Sequence, residues 1–163
     1  DHVPEALKEA GRAALKAFGV HSRFVHFEFF RLTEAKAGLG AVGDYVGLEV
    51  NMRPAGGYTT DMTNFAHSTD VYEIWADMIT ANRRLLPDCG VHCCCAYAGR
   101  RDFHRYVHTH EEILSRYADS IVMCERLPEV MWPQMGNQMY MAKLRDQEET
   151  DAFIRFVQER VRK

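Results

Sequence analysis

Two strand-forming segments in the first third of the chain limit the folds that it can adopt. The first, residues 24–30, is rich in phenylalanine, and in the second, residues 45–53, Val46, Leu48 and Val50 alternate with polar or small residues. Alternation with a period of two is typical of a β-strand with one buried face. The connecting segment contains three glycines, which favour a turn. The sequence therefore predicts an antiparallel pair of strands.

Amphipathic helices are predicted on both sides of this strand pair. Apolar residues recur at helical spacing over residues 3–18. Asp70 and Glu73 resemble a capping box at the start of a second helix, whose apolar period continues to Leu86. Between strand and helix, residues 54–60 are predicted to form a glycine-containing loop.

The second half of the chain has the same mixture of elements. Residues 91–98 indicate a strand that ends in a basic turn at Gly99–Arg101, and Thr109 with Glu112 forms a capping box before a short helix. Two more strands and a last helix are predicted at 121–124, 138–144 and 148–161. The predicted fold class is α+β, with residues 1–88 as one portion and residues 89–163 as an α+β extension packed on it.

The charge balance narrows the classes of partner. Twenty Lys and Arg residues against 23 Asp and Glu residues give a net charge of −3 over 163 residues. A charge of this sign and size does not indicate binding to nucleic acid or to an anionic membrane. No apolar run approaches the roughly 20 residues of a membrane span, and no leader pattern is visible. We therefore expect a cytoplasmic protein whose partner is a small molecule.

A row of polar side chains accompanies the strand pair. If the two apolar rows share the core, then Glu28, Glu49, Asn51 and Arg53 share the opposite face. Positions two apart on a strand are about 6.5 Å apart, so two carboxylates and an amide oxygen can converge on a hard cation such as Mg²⁺. Arg53 adds a forked donor for phosphate or carboxylate. The alternative is a solvated sheet face that simply carries charged residues.

These residues carry a resemblance to the ATP-grasp superfamily, which includes biotin carboxylase and the large chain of carbamoyl-phosphate synthase. The resemblance covers about residues 3–80, with an aliphatic helix before the strand pair. Its motifs are Phe27-Glu28-Phe29, Glu49-Val50-Asn51-Met52-Arg53-Pro54 and Gly56-Gly57. It implies the C-terminal lobe of an ATP-grasp domain, with an antiparallel sheet and flanking helices.

The resemblance also implies a reaction. ATP would activate a small-molecule carboxylate as an acyl phosphate, which an amine or another nucleophile then attacks. Glu28, Glu49 and Asn51 would bind Mg²⁺, Arg53 would be the catalytic residue facing the phosphoryl group, and the ATP site would also include Gly56 and Gly57. Members of the family need an upstream lobe with lysines and a glycine-rich flap. We therefore interpret the chain as the C-terminal part of a longer ligase, inactive alone, with the missing N-terminal lobe as its partner.

Other interpretations remain open. The alternative prediction is a non-catalytic, nucleotide-free binding or regulatory module that kept the sheet. Cys89, Cys93–Cys95 and Cys124, with nearby histidines, either bind zinc or are reduced thiols that pack as small apolar groups; their odd number argues against a disulfide framework.

Several further residues have two interpretations each. His26 lies beside the phosphates or is an ordinary strand residue, and Thr60 and Asn64 line the substrate end of the cleft or belong to a self-bonded loop. Arg100 and Arg101 contact a carboxylate substrate or form a solvated turn. The methionine-rich segment 131–138 is a dimer contact, a lid on the missing lobe or core filler.

Overall fold

The computed structural model describes residues 3–161. Over this range it contains six α-helices, five β-strands and one short 3-10 helix at Glu129–Met131, which confirms the predicted α+β class. The helices are α1 (Glu5–Ala17), α2 (Thr59–His67), α3 (Val71–Thr80), α4 (His110–Arg116), α5 (Trp132–Met135) and α6 (Gln147–Gln158). The strands are β1 (His26–Arg31), β2 (Tyr45–Asn51), β3 (Cys94–Arg100), β4 (Ile121–Arg126) and β5 (Gln138–Leu144).

The chain divides into two compact units. The first comprises the residues up to 60 together with 70–88, and the second comprises 61–69 together with the residues from 89 onward. The assignment of these parts to an ATP-grasp lobe and an extension stays a prediction. No helix within residues 3–161 has the length and apolar character needed to cross a bilayer.

In the first unit, β1 and β2 pair antiparallel, as predicted. Glu28 lies opposite Glu49, but Phe29 lies opposite Gly47, so Leu48 is the extra residue of a β-bulge. Beyond the bulge, Val46 lies opposite Phe30 and therefore shares the face of Glu28. The predicted apolar row of Val46, Leu48 and Val50 is wrong for this reason.

Helix α3 begins where the sequence predicted and ends earlier. The carboxylate of Asp70 caps its start by accepting two backbone N–H groups. The helix ends at Thr80 and does not continue to Leu86. The carboxylate of Asp77 accepts the backbone N–H groups of Leu85 at 2.9 Å and Leu86 at 3.1 Å, and these bonds hold a turn in place of further helix.

Helix α2 was not predicted. Residues 59–67 include three threonines and one asparagine, lack a clear apolar period and follow a glycine pair, so the local pattern is typical of a loop. The buried hydroxyl of Thr60 donates to the carbonyl of Ala55 at 3.1 Å, which closes the loop before the helix. Asn64 belongs to the second unit, and Thr60 to the first.

The second unit is built on a three-stranded antiparallel sheet in the order β3-β5-β4. The central strand β5 has the predicted bounds, and the capping box of Thr109 and Glu112 at the start of α4 is confirmed. The predicted basic turn is wrong, because Gly99 and Arg100 pair with β5 as strand residues. The core of this unit consists of Ala96, Ala98, Ile113, Tyr140, Ala142, Leu144, Phe153 and Val157.

The methionine-rich segment packs closely on β3. A Cβ atom on Gly99 would overlap the carbonyl oxygen of Met135, and the hydroxyl of Tyr97 donates to that oxygen at 2.9 Å. Gly136 has a φ of +93°, which favours glycine, and a Cβ there would lie 2.7 Å from the carbonyl oxygen of Arg100. The backbone of the segment therefore packs directly against β3 of the three-stranded sheet.

Candidate functional site

The candidate site lies on one face of the β1–β2 hairpin. Glu28 and Glu49 are direct cross-strand partners, and residues in this relation have Cβ atoms about 4.5–5.5 Å apart. Glu28 is partly exposed and Glu49 is exposed. Because like charges directly opposite one another destabilise a sheet, a cation bound between the carboxylates would stabilise this pair.

The next cross-strand pair on this face is His26 with Asn51. The Nε2 atom of His26 lies 3.7 Å from the Oε1 atom of Glu28. The Nδ1 atom of His26 and the Nδ2 atom of Asn51 are both buried without a hydrogen-bond partner. A buried polar atom that lacks a partner is uncommon, and a half turn of the Asn51 amide would present its oxygen in place of the nitrogen. Strand alternation thus brings Glu28, Glu49 and Asn51 to one face, as predicted from the sequence.

Arg53 lies beyond the strand. The predicted strand continued to Arg53, but β2 ends at Asn51, so alternation no longer fixes the direction of the arginine side chain. Its Nη1 atom donates to the carbonyl oxygen of Pro54 at 2.9 Å and lies 3.9 Å from the place where Gly56 would carry a Cβ. Gly57 has a φ of +61°, in the left-handed region that glycine adopts without strain. Arg53 is thus folded over the loop that contains the two glycines.

The donor atoms of this face suit magnesium. Two carboxylates and an amide are hard oxygen donors, and Mg²⁺ is usually bound by one or two carboxylates, with waters and phosphate oxygens completing its shell. Within residues 3–161, no group of three or more His, Cys, Asp or Glu side chains is placed to hold a metal ion. The face therefore offers only some of the ligands that Mg²⁺ needs. Phosphate oxygens of a nucleotide would be among the remaining ones.

The cysteines lie in the second unit. Burial raises the pKa of Cys95 to about 11 and also raises the pKa of Cys124. His67 and His92 approach with their Nδ1 atoms 2.8 Å apart, but in the described part of the chain no third metal-binding side chain joins them. This arrangement offers a zinc ion two imidazoles and no complete ligand set.

We predict a large difference in reactivity between two of the cysteines. At pH 8 the thiol of Cys95 is almost entirely protonated, whereas Cys89 is exposed. Because the thiolate is the nucleophile, alkylation of Cys95 by iodoacetamide should be at least about tenfold slower than that of Cys89. Peptide mass spectrometry over a time course measures both rates, with protein in denaturing urea as the control. Equal rates in the folded protein would contradict the prediction.

Comparisons with known proteins add no identification. The sequence matches no protein-family model and no curated protein. The resemblance to the ATP-grasp superfamily therefore depends on the residues of the β1–β2 hairpin and the loop after it, and it stays a prediction.

Proposed function

We propose that this chain supplies the metal- and phosphate-binding part of an ATP- and Mg²⁺-dependent carboxylate ligase of the ATP-grasp kind. The observation that carries the proposal is the direct opposition of Glu28 and Glu49, with Asn51 on the same face of the hairpin. The two opposed carboxylates repel each other, and a cation bound between them offsets this repulsion.

Each residue of the site has a defined task in this proposal. Glu28, Glu49 and Asn51 hold Mg²⁺, which when bound neutralises the phosphates of ATP and orients them. The guanidinium of Arg53 leaves the carbonyl of Pro54 and donates to the phosphoryl group in transfer, where negative charge develops. The loop with Gly56 and Gly57 lets backbone N–H groups approach a phosphate closely, because glycine has no side chain in the way.

The proposed reaction has two steps. An oxygen of the substrate carboxylate attacks the γ-phosphorus of ATP, and the bond from that phosphorus to ADP breaks, which gives an acyl phosphate and ADP. An amine or another nucleophile then attacks the acyl carbon, inorganic phosphate leaves with the electrons of the broken carbon–oxygen bond, and the proton that the nucleophile loses passes to the phosphate. The protein contributes positioning and charge neutralisation to both steps.

The proposal includes partners and a location. A small-molecule carboxylate is the substrate, and an N-terminal ATP-grasp lobe with lysines and a glycine-rich flap supplies the remaining contacts to ATP. The proposed location is the cytoplasm, where ATP and Mg²⁺ are available.

The test uses the longest natural polypeptide that contains this sequence. ADP formation is measured with Mg²⁺-ATP, a panel of small carboxylates and ammonia or a simple amine. The proposal expects ADP formation that depends on both Mg²⁺ and one class of carboxylate. A polypeptide that does not bind Mg²⁺-ATP would contradict it and favour a nucleotide-free binding or regulatory module.

A further inference from the structure

A polar cavity lies wholly within the second unit. It has a volume of about 370 Å³ and is lined by residues of β3, β4, β5, the loop between β3 and α4, and the first residue of α4. Three arginines line it, Arg100, Arg101 and Arg126, together with a single carboxylate, that of Asp102. A cavity with this surplus of cations is a candidate for an anion.

Arg100 is a buried cation without a negative partner. It is 8% exposed, and its Nε and Nη1 atoms donate to the carbonyl oxygens of Val157 at 2.6 Å and His108 at 2.8 Å. Its Nη2 atom is buried with no hydrogen-bond partner. The guanidinium carbon lies 4.5 Å from the ring centroid of Tyr106, and burial lowers the pKa of the arginine. A buried charge that meets only neutral groups is costly, so the interpretation of Arg100 as a solvated turn residue is wrong.

The other charges of the cavity do not compensate Arg100. Arg126 and Asp102 neutralise each other through two hydrogen bonds of 2.7 and 2.6 Å. Arg101 donates to the backbone carbonyls of Trp132 and Pro133, which are neutral. Three guanidinium groups and one carboxylate therefore leave an excess of two positive charges. Outside the lining, Arg160 adds positive charge near His104, and Glu111 adds negative charge near Tyr140.

Neutral hydrogen-bond donors accompany these charges. Burial raises the pKa of Tyr140 to about 12, so its hydroxyl stays protonated, and this hydroxyl lies 2.8 Å from the Nδ1 atom of His110. The hydroxyl oxygen of Tyr106 accepts the backbone N–H of Arg101 at 2.9 Å, which leaves its own hydrogen to donate. The cavity thus has a neutral donor, the Tyr106 hydroxyl, beside its cations, and its one carboxylate is already engaged.

We infer that this cavity binds a small molecule through a phosphoryl group, with Arg100 as the uncompensated cation and with Arg126, for which the phosphoryl oxygens compete with Asp102, as a second contact. A phosphate monoester carries a charge of about −1.5 to −2 at pH 7, which matches the excess of two positive charges. The cavity volume falls within the usual range for ligand sites of about 300–1,000 Å³ and leaves room for the remainder of the molecule. The inference is independent of the proposed ligase activity, because its residues all belong to the second unit.

The first test titrates the full chain with inorganic phosphate at constant ionic strength and follows the histidine ring resonances by NMR. Burial, Arg160 and Arg101 lower the pKa of His104, so a bound dianion should raise that pKa and shift the resonance saturably. We expect a Kd of about 1 mM or lower, and acetate should bind at least about tenfold more weakly. Glycerol phosphate in a third arm distinguishes a phosphate monoester from free phosphate as the preferred ligand.

Two exposed residues allow variants with opposite expected effects. Arg126→Gln removes a cation and leaves Asp102 free to repel the anion, so phosphate should bind at least about tenfold more weakly. Asp102→Asn releases the guanidinium of Arg126 and should tighten binding several-fold. Arg105→Gln is the matched control, because Arg105 is exposed on the same loop but does not line the cavity.

Three results would overturn the inference. One is that neither phosphate compound shifts the ring resonances of His104 or His110 saturably at concentrations up to about 50 mM, which is well above the expected Kd. Another is a change of affinity in the same direction for Arg126→Gln and Asp102→Asn, or an equal loss for Arg105→Gln. The third is acetate that binds as tightly as phosphate, which would assign the cavity to carboxylates.

Discussion

Glu49→Gln is expected to reduce carboxylate-stimulated ADP formation about 10²- to 10³-fold in the polypeptide that contains this chain. The substitution keeps the shape of the side chain and removes one of the two charges that face each other across β1 and β2. The amide oxygen of glutamine lacks the negative charge of the carboxylate and is therefore a much weaker ligand of Mg²⁺. The initial rate of ADP release at saturating Mg²⁺-ATP measures the effect.

A matched substitution separates loss of the metal ligand from loss of charge in general. Glu34 lies in the connection between β1 and β2, where it is exposed and pairs with Lys36 at 3.5 Å. Glu34→Gln should leave the rate within about twofold of the original, since exposed ion pairs contribute little. If Glu49→Gln keeps more than half of the original rate, the assignment of Glu49 is wrong.

Phe153→Ala is expected to lower the free energy of unfolding of the second unit by about 3–5 kcal/mol. Phe153 is fully buried on α6, and its ring meets that of Tyr117 edge to face with centroids 5.0 Å apart. Truncation removes the apolar surface that the ring buries and leaves a cavity between α6 and the sheet. Urea denaturation measures the loss.

The two tryptophans allow this unit to be followed separately. Trp132 belongs to the second unit and Trp75 to the first, so a Trp75→Phe background leaves Trp132 as the fluorescent reporter. Phe103→Ala is the matched control, because Phe103 is 74% exposed and should cost no more than about 0.5 kcal/mol. Equal losses for Phe153→Ala and Phe103→Ala would contradict the described core.

Local signals predicted those elements whose pattern is complete within a few residues. The apolar pattern of β5 predicted its bounds, 138–144, and β3 pairs with this strand over the whole length while β4 pairs with residues 138–142. The capping box of Thr109 and Glu112 marked the start of α4, since both of its hydrogen bonds are made within four residues. Asp70 marked the start of α3 for the same reason.

Elements that depend on distant contacts could not be predicted in this way. The early end of α3 depends on hydrogen bonds from Leu85 and Leu86 to Asp77, and an apolar period does not reveal them. Gly99 and Arg100 have turn-like composition, yet β5 holds them in the sheet. The bulge at Leu48 changes the pairing of β1 and β2, and the adjacent Gly47 is compatible with a bulge but does not by itself fix one.

The candidate site was partly predictable for related reasons. A period of two was sufficient to place Glu49 and Asn51 on one face, and the register then brought Glu28 opposite Glu49. It was not sufficient for Arg53, because the strand ends before that residue. The cavity was not predictable, because Arg126 joins Arg100 and Asp102 only through the tertiary fold.

Binding of a divalent cation between Glu28 and Glu49 is the central claim, and Mn²⁺ tests it most directly. Substoichiometric Mn²⁺ is added to the ¹⁵N-labelled chain, and paramagnetic broadening of the backbone amide resonances is measured. We predict that the amides of Glu28, Glu49 and Asn51 broaden first, that Mg²⁺ reverses the effect, and that Glu49→Gln requires at least about tenfold more Mn²⁺. Broadening that begins elsewhere, or that is unchanged in Glu49→Gln, would contradict the claim.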